Sequence, residues 1–122
     1  LEMHLPDMHF ARGTFFDLIK RLHDASDGIP TGAVARILEP IQGEALLRDN
    51  ISELVMLGRT LVTDAAWGLK AAQNRDNDIR KCVSCNNCWG VINQELPLQC
   101  DNNPRVGFEE EVDWWPSAAK SK

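Results

Sequence analysis

Four cysteines constrain this chain more tightly than any other feature. Cys82, Cys85 and Cys88 are each separated by two residues, Cys100 follows after eleven more, and there is no other cysteine. Three thiols within seven residues form a convergent ligand set, whereas the disulfides of small secreted domains staple distant loops. Four thiolates hold a zinc ion tetrahedrally or an iron–sulfur cluster. Zinc ribbons usually present two separated Cys-x-x-Cys knuckles on short strands, and neither is found here. A compact triplet suits three corners of a cubane, with the distant cysteine closing the fourth. The count therefore favours a 4Fe-4S cluster engaged in single-electron transfer. A structural cluster remains open, as does a zinc-stabilised interaction module that docks a partner through Trp114-Trp115 and the acidic run Glu109-Glu110-Glu111.

The residues before the cysteines alternate between strand and helix patterns. Residues 1–13 read as a strand end and a loop. Residues 14–27 read as a helix with Thr14 as N-cap, Asp17 as its capping partner and Gly28 as the stop; Phe15, Leu18, Ile19 and Leu22 form its buried face. Ile29–Ile37 reads as a strand covered on both faces. Residues 39–49 return to helix, with Pro40 in the first turn and Ile41, Ala45 and Leu46 on one face. Ile51–Leu57 is a second strand. Asp64 caps a short helix over Ala65–Asn74 that packs Trp67, and residues 75–81 are a polar bridge into the cysteines. Asp101-Asn102-Asn103-Pro104 is a turn, and residues 117–122 resemble a linker. Strands alternating with helices point to the α/β class with parallel pairing.

Each strand ends in an arginine: Arg36 after the first, Gly58-Arg59 after the second. Strand ends are where parallel α/β folds bind ligands. A glycine admits close approach of an anion to a backbone amide, and arginine supplies a forked donor. The pair therefore suggests a phosphate site, with solvent exposure as the plainer reading of Arg36. His4 and His9 flank Pro6-Asp7 without the spacing of a closed metal site; they read as loop residues that would bind or protonate a substrate only if the loop faced a cavity.

The chain has 122 residues, enough for one small domain or a piece of a larger one, and 43% hydrophobic content supplies a core. A net charge of −5 and a pI near 5.1 argue against binding to a phosphate backbone. The sequence holds no run of 18 apolar residues and opens without a secretory pattern, so a cytoplasmic address is expected.

Three stretches together carry a family resemblance: Leu57-Gly58-Arg59-Thr60-Leu61-Val62-Thr63-Asp64, Asp78-Ile79-Arg80-Lys81-Cys82-Val83-Ser84-Cys85-Asn86, and Cys100-Asp101-Asn102-Asn103-Pro104. They resemble the end of the flavin barrel in the iron–sulfur branch of the old yellow enzyme family, which includes 2,4-dienoyl-CoA reductase and trimethylamine dehydrogenase. The likeness runs from about Gly13 to Gly107, with Ile29–Ile37 as the seventh barrel strand and Ile51–Arg59 as the eighth. It implies the C-terminal portion of a TIM (β/α)8 barrel over residues 1–74, a cluster segment over 75–108 and a tail over 109–122. It further implies an FMN whose phosphate rests on Ala35, Arg36, Gly58 and Arg59, and a 4Fe-4S cluster on Cys82, Cys85, Cys88 and Cys100. The cluster would relay electrons to or from FMN for reduction of an enoyl-type substrate or oxidation of an amine.

Two departures from the family pattern matter. Cys85 and Cys88 are separated by two residues where the family usually has three. A whole barrel takes about 250 residues, so the first strands and the flavin ring contacts must come from elsewhere. No Gly-x-Gly-x-x-Gly fingerprint is present. The expected partners are a chain supplying those strands and either an FAD and NAD(P)H domain or an electron-transfer flavoprotein.

Overall fold

A computed structural model describes residues 5–108. The elements, in order, are helix α1 (Phe16–Asp24), strand β1 (Gly32–Ala33), helix α2 (Pro40–Arg48), strand β2 (Leu54–Val55), helices α3 (Arg59–Thr63) and α4 (Trp67–Ala72), a 3-10 turn at Asp76–Asp78, and helix α5 (Asn87–Ile92). The fold is a small mixed α/β unit. β1 and β2 pair in parallel, Gly32 opposite Leu54 and Ala33 opposite Val55, with α2 as the crossover. No described helix is long and apolar enough to cross a membrane. His4, the acidic run, Trp114-Trp115 and residues 117–122 lie outside the described residues.

Ile19 of α1, Ala33 of β1, Ile37 and Leu46 of α2 form the core, with Phe15, Phe16, Ile51, Val55 and Leu57 packed against it. Burying side chains the size of Ile37 or Leu46 contributes about 1.5–3 kcal/mol each. Polar anchors extend this core toward the cysteines. Thr60 Oγ1 donates to the Ile37 carbonyl at 2.7 Å, and the Trp67 indole donates to the Leu38 carbonyl at 3.1 Å. These two bonds fasten α3 and α4 onto the chain leaving β1.

The elements are shorter than their sequence patterns suggest. Neither Ile29–Ile37 nor Ile51–Leu57 pairs along its length; each contributes a two-residue strand. Each strand has one described neighbour, so only one edge of its backbone is bonded. β1 is also cut off by Ala35 and Arg36, whose φ values of 95° and 53° lie outside the extended region. Within the described residues only one face of this sheet is covered. Ala33 is fully buried, while Val34, Leu54 and Met56 are more than half exposed and lie on the opposite side of the sheet. Residues 5–13 form the bends and turns of a loop, and the strand end expected before them falls on residues 1–4, outside the described residues.

Helix details shift as well. Thr14 does not cap α1; its hydroxyl donates to the Ala11 carbonyl at 2.6 Å, and Phe15 occupies the cap position. Leu18 and Leu22 are exposed, so the packed face of α1 is Phe15, Phe16 and Ile19. α1 ends at Asp24 and Gly28 lies beyond it, in a turn with φ 82°. Pro40 opens α2 as expected, and the Gln42 side chain accepts from the amides of Leu38 and Glu39 at 2.9 and 3.1 Å. Ile41 is exposed, so α2 packs through Gly43 and Leu46. Asp64 precedes α4 by more than a cap position, yet its carboxylate still accepts from the Ala66 amide at 3.1 Å.

Candidate cofactor site

The expected anion and cluster residues meet in one place. A cavity of about 470 Å³ is lined by Ala35, Arg36, Gly58 and Arg59 together with Cys82 and Cys88. Leu5 and Pro6 close one side, and Trp89, Ile92 and Leu98 another. Two guanidinium groups and no carboxylate are found among its described lining residues, so its field favours an anion. The Arg36 guanidinium donates to the Phe10 carbonyl, while its buried Nε has no hydrogen-bond partner among the described residues. Gly58 stands at the cap of α3, where an added Cβ would meet open space.

Arg59 does more than face this cavity. Its guanidinium donates to the side-chain oxygen of Asn86 and to the Pro6 carbonyl, the latter at 2.9 Å. The Asn86 amide in turn donates to the Leu5 carbonyl at 3.1 Å. One guanidinium thereby links the cavity wall, the residues before α1 and the cysteine loop.

All four cysteines are free thiols, half-buried, and line a second, narrow cavity with Arg59, Val62 and Thr63. Cys88 lies in the first turn of α5, a helix that the sequence reading did not anticipate. Cys100 is returned to the triplet by amide side chains. Asn87 donates to Asp101 at 2.8 Å, Asn102 to the Lys81 carbonyl at 2.9 Å and Asn103 to the Val62 carbonyl at 2.8 Å. Thr63 Oγ1 lies 3.6 Å from Cys100 Sγ, and the Ser84 amide donates to Cys82 Sγ at 3.4 Å. These clamps were read from sequence only as a turn; the signal was the density of asparagine around the cysteines.

Upstream, Asp64 fixes where the cysteine segment begins. Its buried carboxylate accepts from Lys70 Nζ at 2.5 Å and from the Arg80 amide at 2.8 Å. Burial alone would raise its pKa, but these hydrogen bonds win and hold it below the usual carboxylate value. Burial pushes the Cys85 and Cys88 thiols up, with the Arg59 charge opposing this at Cys88.

No described group of three or more His, Cys, Asp or Glu side chains converges on a single metal-ion position. Four cysteines on one cavity wall supply the sulfur donors that a zinc ion or an iron–sulfur cluster takes. The Ser84 amide donates to Cys82 Sγ, as an amide does to a ligating thiolate.

His9 is not part of either cavity. Its side chain is exposed, and its ring nitrogen and backbone amide both contact Asp7. The loop it occupies does reach the large cavity, through Leu5 and Pro6.

The chain matches no established protein-family model. It is 41% identical over 83 residues to an NADH oxidase of Thermoanaerobacter brockii, covering 66% of this chain and 13% of the relative. It is 35% identical over 95 residues to a bilirubin reductase of Mediterraneibacter gnavus, covering 77% and 15%. The fold matches part of the structure of 6-hydroxypseudooxynicotine amine oxidase from Pseudomonas geniculata with a TM-score of 0.81 at 23% identity, covering 89% of this chain and 16% of that one. The chain therefore spans only about a seventh of the length of these relatives.

Proposed function

We propose that this chain is the cofactor-holding end of a flavin barrel in an FMN- and 4Fe-4S-dependent oxidoreductase, within the iron–sulfur branch of the old yellow enzyme family. One observation carries the reading: Ala35, Arg36, Gly58 and Arg59 share a single cavity with Cys82 and Cys88. Anion-binding and sulfur-ligating residues, 23 or more positions apart in sequence, thus stand on one wall. The likeness to an NADH oxidase and a bilirubin reductase supports the same class of chemistry.

Bound FMN would supply hydride chemistry, and the cluster would pass single electrons to or from it. The chain's own residues bind and orient. Arg36, through its unpartnered Nε, and the open backbone at Gly58 receive the phosphate. Arg59 supplies charge to the same wall and holds the cysteine loop against it. Leu5, Pro6, Trp89 and Leu98 exclude water between the two centres. The proposed substrates are enoyl-type compounds or amines.

The flavin ring contacts and remaining barrel strands lie outside these residues. The more than half-exposed Val34, Leu54 and Met56 form the sheet face on which those strands, supplied by a partner chain, would pack. An FAD and NAD(P)H domain or an electron-transfer flavoprotein would exchange electrons with the centres. Four cysteines kept as thiols suit the proposed cytoplasmic address.

Anaerobic purification followed by iron, sulfide, zinc and flavin analysis tests the proposal. Equimolar iron and sulfide is the expected result, with FMN bound when the chain carrying the remaining strands is purified with it. Zinc without iron or sulfide would overturn it.

A further inference from the structure

Ser84 lies between Cys82 and Cys85, and nothing above uses its side chain. It is 1% exposed, and its hydroxyl has no hydrogen-bond partner among the described residues. Its φ is 58°, a left-handed conformation that a glycine would adopt without strain. Its amide already donates to Cys82 Sγ at 3.4 Å, and it lines the large cavity beside Cys82 and Cys88. A buried unpartnered hydroxyl and a strained backbone each cost free energy, and both fall on one residue inside the ligand loop. Glycine would remove both costs. A hydroxyl retained under such costs implies a partner that completes it.

Resting on the cluster reading, we infer that the Ser84 hydroxyl donates a hydrogen bond to the sulfur shell of the group held by the four cysteines and raises its reduction potential. Cys82 Sγ, which the Ser84 amide already reaches at 3.4 Å, is one of those sulfurs. Reduction adds one electron, supplied by a reduced flavin that is itself oxidised by one electron. The added charge resides partly on sulfur, so a donor there stabilises the reduced state more than the oxidised one. The hydroxyl keeps its proton and no covalent bond changes. Ser84 is thus a positioning residue that sets how readily electrons enter the cluster.

The test uses the anaerobically purified protein and two variants, Ser84→Ala and Ser84→Gly. Iron and sulfide are measured first, then each sample is reductively titrated and followed by electron paramagnetic resonance. The expected result is wild-type loading in both variants and a midpoint potential shifted negative by a similar amount in each. Midpoints equal to wild type in both would overturn the inference. So would a shift in the alanine variant that glycine reverses, because that assigns the effect to backbone strain. Loss of the cluster in both variants would assign Ser84 to folding and also overturn it. Wild-type protein without iron and sulfide is a separate result, read before any variant, and it sinks the cluster reading itself.

Discussion

Arg59 donates to the side-chain oxygen of Asn86, 27 positions further along the chain, in the loop between Cys85 and Cys88. The same guanidinium lines the large cavity and holds the Pro6 carbonyl. The wall proposed to seat the phosphate and the placement of the cysteine loop therefore share one side chain. Any group drawing Arg59 into the large cavity acts on the loop that carries the proposed cluster ligands.

Replacing Arg59 with alanine removes a charge-assisted donor from the cavity, the tie to the cysteine loop at Asn86 and the tie to the Pro6 carbonyl. Hydrogen bonds involving a charged group contribute about 1.5–3 kcal/mol. Flavin affinity should therefore fall about 10- to 150-fold. Arg59→Lys restores the charge without the fork and should recover only part of the loss. Flavin retained per chain after gel filtration is the readout; wild-type retention in Arg59→Ala would remove Arg59 from the site.

Ala35 sits at φ 95°, where a Cβ crowds the backbone, on the wall of the large cavity. Ala35→Gly relieves that strain but adds freedom to the unfolded chain. The strain exceeds the entropic loss, so a net gain of about 0.5–1 kcal/mol is expected. An increased urea midpoint with unchanged slope would show it, and a decreased midpoint would contradict it.

Much of the site was legible in sequence because its chemistry is carried by residue type. Four cysteines at short spacing and two arginines after the strands stand out by type as one candidate site, and the structure brings them to adjoining walls. The extent of the strands was not legible. Strand length depends on neighbours, and the residues of Ile29–Ile37 beyond the short paired region have no described strand to bond. Thr14 was misread for a local reason: its hydroxyl found the Ala11 carbonyl before any helix amide. Two of the asparagine clamps on Cys100 were hidden because their partners are distant backbone carbonyls, such as that of Val62, 41 positions from Asn103.

Gly58 offers a way to separate the two centres. A methyl added there meets nothing within 4 Å. Gly58→Ala should leave the melting temperature within about 2 °C of wild type. The methyl nevertheless occupies the wall where the phosphate is proposed to rest, so flavin retention should fall while iron content holds. Equal loss of iron and flavin would mean that the fold, and not the phosphate seat, had been disturbed.

Asp64 ties acid stability to the start of the cysteine segment. Its carboxylate accepts from Lys70 and from the Arg80 and Ala66 amides, and these bonds hold its folded pKa below the usual carboxylate value. A depressed folded pKa means that the stabilisation is fully present above the unfolded value and is lost as pH falls through the folded one. Asp64→Asn should cost about 1–3 kcal/mol at pH 7, because Lys70 is left without its carboxylate. As pH falls past the ordinary carboxylate value and on through the depressed folded one, the wild-type group is itself protonated, so the two proteins should converge. Urea midpoints of metal-free protein at pH 7, 5 and 3 measure this. A gap that persists undiminished at pH 3 would mean that the charge on Asp64 is not what holds the segment in place.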